Sequence, residues 1–181
     1  HLCARLIKLG AKVTALTHYN SRSSYANLDF LKNEEIESLN IIKGNIEDPY
    51  FIDYASENIE IIFHLAALIG IPYSYVSPLS YVKTNIEGTI NLLEVSKKRN
   101  IKMIHTSTSE CYGTAIYTPI DESHPLQGQS PYSASKISAD KIIESYHNSF
   151  GTNTITIRPF NVFGPGQSAR AIIPTIISQL I

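Results

Sequence analysis

Short runs of β-branched and apolar residues alternate with segments of helical period along almost the whole chain, and this alternation limits the possible folds most. Runs at 13–17, 41–43, 59–65, 102–106 and 154–158 read as strands. The run 59–65 is apolar throughout except for Glu60 and His64, the pattern of a strand buried on both faces. Helices are predicted over 1–9, 49–56, 80–99 and 132–150 and from 172 onward, with a shorter one inside 26–39. Gly10 suits the end of the first helix, and Pro49 suits the first turn of its own. Residues 18–25, the stretch around Pro72 and Pro78, and 107–130 read as loops. Strands and helices that alternate with short links predict an α/β fold, a Rossmann-like doubly wound parallel sheet with helices on both faces. Ligands of such sheets bind beyond the carboxyl ends of the strands. Function is therefore expected in the loops that start near Thr17, Gly44, Leu65, Thr106 and Arg158.

Composition narrows the class. With 43% apolar and 17% charged residues in 181, the chain can bury a sizeable single core and is not a disordered sequence. A net charge of −1 gives no reason to expect nucleic acid or an anionic membrane as partner. No apolar run reaches the roughly 18 residues of a membrane span. Two cysteines, Cys3 and Cys111, do not make a disulfide framework, so a cytoplasmic setting is expected. The six histidines lack paired metal-ligand spacing, and no metal site is predicted. His64 and His105, near strand ends, read as structural. The chain starts at His1 within a predicted helix, lacks a signal-peptide pattern, and stops at Ile181 in an uncapped apolar run. It reads as a fragment of a longer protein.

One charge stands out. Positions 132, 136, 139, 143, 146 and 150 form a single helical stripe of Tyr, Lys, Ala, Ile, Tyr and Phe. Lysine is almost never fully buried unless paired, so the plain reading of Lys136 is a buried stem with its ammonium reaching solvent. Tyr132 lies one turn earlier, only about 40° around the helix. Using a phenol as a base at pH 7 means lowering its pKa by ~3 units, or ~4 kcal/mol. A unit charge 4 Å away supplies about 4 kcal/mol at an effective dielectric of 20. A neighbouring ammonium therefore has the right size to activate Tyr132. After the strand at 102–106, the polar run Thr106-Ser107-Thr108-Ser109-Glu110 is either a simple turn or a set of groups facing the same crevice.

Tyr132-Ser-Ala-Ser-Lys136, Thr108-Ser109-Glu110-Cys111-Tyr112-Gly113, His64-Leu65-Ala66-Ala67, Thr84-Asn85-Ile86-Glu87-Gly88-Thr89 and Arg158-Pro159-Phe160-Asn161-Val162-Phe163-Gly164-Pro165 follow one another along the chain. In that order they resemble the NAD-dependent epimerase/dehydratase members of the extended short-chain dehydrogenase/reductase family. The resemblance implies a nucleotide-diphosphate sugar as substrate and NAD as cofactor. Tyr132 would take the proton of a sugar hydroxyl, Thr108 would hydrogen-bond the reacting oxygen, and Lys136 would hold the cofactor ribose and depress the phenol's pKa. Asn45, Ile46, Leu65, Ala66, Ala67, Thr84 and Tyr132 would contact the cofactor, and Asn161 the substrate diphosphate. It also implies that residues 1–181 form part of an NAD(P)-binding domain, with most of the substrate-binding segment beyond the chain. A homodimer through the helices at 80–99 and 132–150 is implied as well.

The subtype turns on Thr108-Ser109-Glu110. Glu110 resembles the base of sugar-nucleotide 4,6-dehydratases, which removes the C5 proton once C4 is oxidised. Many of these have Asp before that glutamate as the acid; Ser109 stands here, as in the GDP-mannose type, so a hydroxyl or bound water would deliver the proton. Simple 4-epimerases usually lack the glutamate, whereas decarboxylases of the family share it. The wording of 119–132 and 168–177 is similar to dehydratases of legionaminic-type sugar synthesis, which act on nucleotide-linked N-acetylglucosamine.

Some features depart from the family pattern. The glycine-rich phosphate loop is absent, and is expected upstream of His1, so 1–181 alone is expected to be inactive. The end of the second strand, Leu16-Thr17-His18-Tyr19-Asn20-Ser21-Arg22, carries no acid for a ribose 2′-hydroxyl. Arg22 could take a 2′-phosphate, which leaves NADP open beside NAD. Asn45 stands where an Asp commonly faces the adenine, and Gly166 where many relatives have Arg. Two other classes compete. Ser133-Ala-Ser-Lys136 matches the Ser-x-x-Lys of penicillin-recognising enzymes, but without their companion motifs. A non-catalytic nucleotide-binding regulator could share the fold, although such proteins typically lose the tyrosine or the lysine.

Overall fold

The computed structural model describes residues 1–22 and 24–180. Ser23, in the predicted loop 18–25, and Ile181, at the end of the predicted last helix, lie outside the described residues. The chain forms two compact units, His1–Asn45 with Asn161–Ile181, and Ile46–Phe160.

The first unit opens with helix α1 (Leu2–Lys8) and strand β1 (Val13–Thr17). Gly10 ends α1 in the left-handed region, at φ +83°, where a side chain would be strained. Its N–H donates to the Ile7 carbonyl and that of Ala11 to Leu6, which satisfies two carbonyls the helix leaves open. A 3₁₀ turn at Ala26–Phe30 and helix α2 (Asn33–Glu37) fill the predicted 26–39 region. Strand β2 (Leu39–Lys43) then pairs parallel with β1, from Val13 opposite Leu39 to Thr17 opposite Lys43.

In the second unit, α3 (Pro49–Ala55) leads to β3 (Ile61–His64), then to α4 (Ile71–Val76) and α5 (Pro78–Tyr81). Asp48 caps α3 through the N–H groups of Tyr50 and Phe51, with Pro49 at the position where its missing N–H costs nothing. The helical run continues as a π-helix over Val82–Glu87 and as α6 (Gly88–Arg99). Strand β4 (Lys102–Thr106), α7 (Pro131–Phe150) and β5 (Thr154–Ile157) complete this unit. The strands lie in the order β3-β4-β5, all parallel, with His64 opposite His105 and Thr106 opposite Ile157. The predicted parallel α/β architecture is thus observed, with the strands hydrogen-bonded as one pair and one triplet. The first unit also holds the last helix, α8 (Ile172–Leu180).

Helix α7 starts where the sequence chemistry places it. The Ser130 hydroxyl accepts from the Ser133 N–H, the Ser133 hydroxyl takes the Ser130 N–H, and Pro131 occupies the first helical position. The core of the unit joins Ile46 and Ile52 with Leu92, Leu93 and Val95 of α6, Met103 of β4 and Ile143 of α7. Gly88 lets the start of α6 close on Ile46: a Cβ there would come within 2.5 Å of the isoleucine Cδ1 and 2.6 Å of Cγ1. Ile46 is 5% exposed and has nowhere to move. Gly88→Val is expected to lower stability by about 2 kcal/mol or more, read as a lower urea midpoint at unchanged slope.

Candidate active site

The polar run after β4 folds into a 3₁₀ turn, Ser109–Cys111, capped by the Thr108 hydroxyl, which accepts from the Glu110 N–H at 3.2 Å. Two backbone bonds anchor this turn to the end of β5: Ser107 N–H to the Ile157 carbonyl at 2.7 Å, and Ser109 N–H to Pro159 at 3.1 Å. Glu110 is exposed, while Thr108 and Ser109 are half-buried. Tyr132, in the first turn of α7, is 7% exposed and meets Tyr81 edge-on, with ring centroids 6.3 Å apart. Burial raises the phenol's pKa, and the Thr108 side chain pulls it back through a hydrogen bond. Cys111, Glu110 and Tyr81 each push it further up. Thr108 and Glu110 therefore lie near the Tyr132 phenol.

Lys136 departs from the expectation of an ammonium that reaches solvent. It is 2% exposed, so its ammonium does not reach solvent. Nζ donates to the Thr106 carbonyl at 2.9 Å and lies 3.3 Å from His105 Nε2. Burial holds this lysine down to a pKa of about 8, against an upward pull from the Asp140 carboxylate and the Cys111 thiol. The expected lowering of the phenol's pKa is not seen in the protein without cofactor, where burial raises it. The ammonium is drawn under the strand ends by the Thr106 carbonyl and His105 instead.

Of the residues expected to contact a cofactor, Leu65, Ala66 and Ala67 directly follow β3. Leu65 and Ala66 are exposed and Ala67 half-buried, in an extended loop that runs to Gly70. Asn85 holds this loop as a backbone strand would, accepting from Leu68 N–H at 2.8 Å and donating to the Leu68 carbonyl at 3.0 Å. Its amide also donates to Ser135 of α7 at 2.9 Å, and Tyr81 donates to the Gly70 carbonyl. Thr84 and Asn85 both sit in the π-helical turn, a widening common at functional sites. Thr84 donates to Glu47 at 2.6 Å. Ile46 turns its side chain into the core and gives its carbonyl to Asn91, so its side chain is not a cofactor surface. Asn45 and Asn161 belong to the first unit, where Asn161 is exposed.

A buried polar group that the sequence did not single out lies behind Lys136. Asp140, 4% exposed, accepts from Ser107 Oγ and from Arg158 Nε, each at 2.9 Å. Arg158 Nη1 reaches the Tyr112 hydroxyl at 3.3 Å. His64 and His105 are both buried, with His64 Nε2 2.9 Å from the Thr89 hydroxyl. A carboxylate one turn after a buried lysine was the available signal for Asp140. Among the described residues no cluster of His, Cys, Asp or Glu is placed to hold a metal, and no helix is long and apolar enough to cross a membrane.

A parallel α/β fold with a Tyr-Ser-Ala-Ser-Lys helix beside a Thr-Ser-Glu turn defines the class, the NAD-dependent epimerase/dehydratase superfamily. The model of the family described as GDP-mannose 4,6 dehydratase matches residues 1–181, and the chain belongs to that family. It is 32% identical over 161 residues to human dTDP-D-glucose 4,6-dehydratase, covering 87% of this chain and 45% of that protein. The chain thus spans about half the length of the curated relatives it matches. Among solved structures, UDP-N-acetylglucosamine 4-epimerase from Methanobrevibacter ruminantium M1 is similar at TM-score 0.83 and 36% identity, over 93% of this chain and 55% of that one. A dTDP-glucose 4,6-dehydratase double mutant from Streptomyces venezuelae, with NAD bound, is similar at TM-score 0.84 and 26% identity, over 99% and 57%.

Proposed function

We propose that the protein is an NAD-dependent nucleotide-sugar 4,6-dehydratase, with a nucleotide-linked N-acetylhexosamine as substrate. The observation that carries this reading is the convergence of Thr108 and Glu110 on the Tyr132 phenol. That phenol can exchange a proton with a sugar hydroxyl, while Glu110 on the neighbouring turn supplies the second base that elimination needs and simple epimerisation does not. The family match and the NAD held by the Streptomyces relative support the cofactor. The N-acetylglucosamine nucleotide acted on by the Methanobrevibacter relative supports the sugar.

The residues present fit NAD. An ammonium has three protons, and the two contacts of Lys136 to Thr106 and His105 leave one for a ribose hydroxyl. Exposed Leu65 and Ala66 at the end of β3 offer an apolar shelf for a planar ring. When bound, NAD would supply the hydride acceptor for C4 and the hydride donor for C6. Tyr132 accepts the C4 hydroxyl proton, and Thr108 hydrogen-bonds that oxygen. Glu110 removes the C5 proton, and the Ser109 hydroxyl or a water beside it protonates the departing C6 oxygen, so that water leaves. Asn161 would contact the substrate diphosphate, and a homodimer through α6 and α7 belongs to the same reading.

A 4-epimerase is the second reading, favoured by the Methanobrevibacter relative's printed activity. Incubating the full-length protein with UDP-N-acetylglucosamine, UDP-glucose, dTDP-glucose, GDP-mannose and UDP-glucuronate separates the two. A 4-keto-6-deoxy product from the N-acetylglucosamine nucleotide is expected. Clean 4-epimerisation with no keto product from any of them would overturn the dehydratase reading.

A further inference from the structure

Lys136 meets the protein through a small buried network that its proposed role does not require. His105 Nε2 stands between two groups, 3.3 Å from Lys136 Nζ and 3.5 Å from Asp140 Oδ1. Its other ring nitrogen makes no hydrogen bond among the described residues. The far oxygen of Asp140 is occupied by Ser107 and Arg158. We propose that His105 and Asp140 are positioning residues for Lys136: the imidazole accepts one ammonium proton, the carboxylate one turn below supplies the counter-charge, and together they fix the lysine's direction and charge. This rests on the reading in which Lys136 serves the cofactor and Tyr132.

The chemistry of one ring nitrogen makes the arrangement responsive to pH. Nε2 has a single site, so it either accepts from an ammonium or donates to Asp140, never both. With Lys136 charged, Nε2 accepts and the ring proton sits on Nδ1. With Lys136 neutral, the nearby carboxylate favours the tautomer that carries the proton on Nε2, 3.5 Å from Asp140 Oδ1. Loss of the lysine's charge and the histidine tautomer are thus linked. The surrounding groups hold the states this needs. Burial lowers the pKa of His105, opposed by the nearby Asp140 carboxylate and assisted by the Lys136 charge, so the ring is neutral. Burial raises that of Asp140, but its neighbours His105, Ser107 and Arg158, the last two hydrogen-bonded to its far oxygen, outweigh it and keep the carboxylate ionised. On β3, His64 is held neutral by burial and by its neighbours His105 and Lys136. Burial raises the Cys111 thiol on the turn, and Tyr132 on the same helix is raised chiefly by burial too. Among the described residues Asp140 is therefore the main group favouring the charged ammonium, with Arg158 sharing it and Tyr112 behind Arg158.

Asp140→Asn, His105→Phe and His105→Gln in the full-length protein test this. The readouts are the titration of a ¹³C-labelled Lys136 side chain, NAD affinity, and the pH dependence of kcat/KM. In the unsubstituted protein Lys136 is expected to titrate at about 8. Asp140→Asn and His105→Phe are each expected to move that midpoint down by about one pH unit or more, because each removes a partner of the charged form. The basic limb of kcat/KM should move with it. His105→Gln, which keeps an acceptor at the same reach, should restore most of the shift. A merely structural pair would change thermal stability and leave the midpoint where it was, and that result overturns the proposal. Should Asp140→Asn fail to fold, the two His105 variants decide alone. Lys136→Met identifies the resonance, and full turnover in that variant would sink the functional reading without touching the titration result.

Discussion

Replacing Tyr132 by Phe in the full-length protein is expected to lower turnover by about 10³-fold while changing NAD affinity little. The substitution removes one oxygen and keeps the ring, which is buried and packed edge-on against Tyr81, so the start of α7 should stand unchanged. What is lost is the phenol, the group on that turn of α7 proposed to carry the proton of the sugar hydroxyl. In the protein alone this phenol is a poor base. Burial raises its pKa first, and the Glu110 carboxylate adds to that, against the hydrogen bond from Thr108. Each unit of that pKa costs ~1.4 kcal/mol in reaching the phenolate. A positive charge within about 4 Å is worth several kcal/mol at an effective dielectric of 20, so the charge of oxidised NAD is of the size required. The phenolate absorbance near 295 nm should therefore appear at a lower pH with NAD present than without, and Tyr132→Phe should abolish the difference. Full turnover by Tyr132→Phe would remove the enzyme reading and leave a nucleotide-binding regulator in its place.

The strands were legible because their apolar runs are short and bounded: β4 falls on the predicted 102–106 and β5 within one residue of its predicted end. Helix α4 was not, because Pro72 after Gly70 reads as a loop signal. A proline in the first turn of a helix loses no hydrogen bond, and Ile71–Val76 is helical. The stripe on α7 identified Tyr132 and Lys136 from period alone, since i and i+4 share a face whatever packs against it. The sign of the phenol's shift was not legible in the same way. It depends on where the ammonium ends, and Thr106 and His105, thirty residues away in sequence, draw it off. His105 itself alternates inward with Met103 along β4, which identifies a buried histidine and says nothing of its partners. Asp140 is one turn from Lys136 and could have been paired with it from spacing. Arg158 could not, because only the β4–β5 pairing brings the end of β5 to that carboxylate.

Glu110→Gln is expected to cut net dehydration by about 10²- to 10⁴-fold while sparing the first half of the reaction. Tyr132, Lys136 and Thr108 remain, so C4 oxidation should proceed and reduced cofactor should accumulate as a burst at 340 nm. The keto sugar then has no base for its C5 proton, and exchange of that hydrogen with deuterated solvent should stop. The electrostatics add a second mark. Glu110 raises the phenol's pKa, so making it neutral should lower that pKa. The variant that blocks elimination should therefore not impair proton removal at C4. These effects come from one residue on one turn and oppose each other in direction, which a general loss of structure cannot imitate. An unchanged dehydration rate would make Glu110 an ordinary exposed carboxylate and shift the balance to epimerisation, because Tyr132, Lys136 and Thr108 alone support oxidation and reduction at C4 and nothing further.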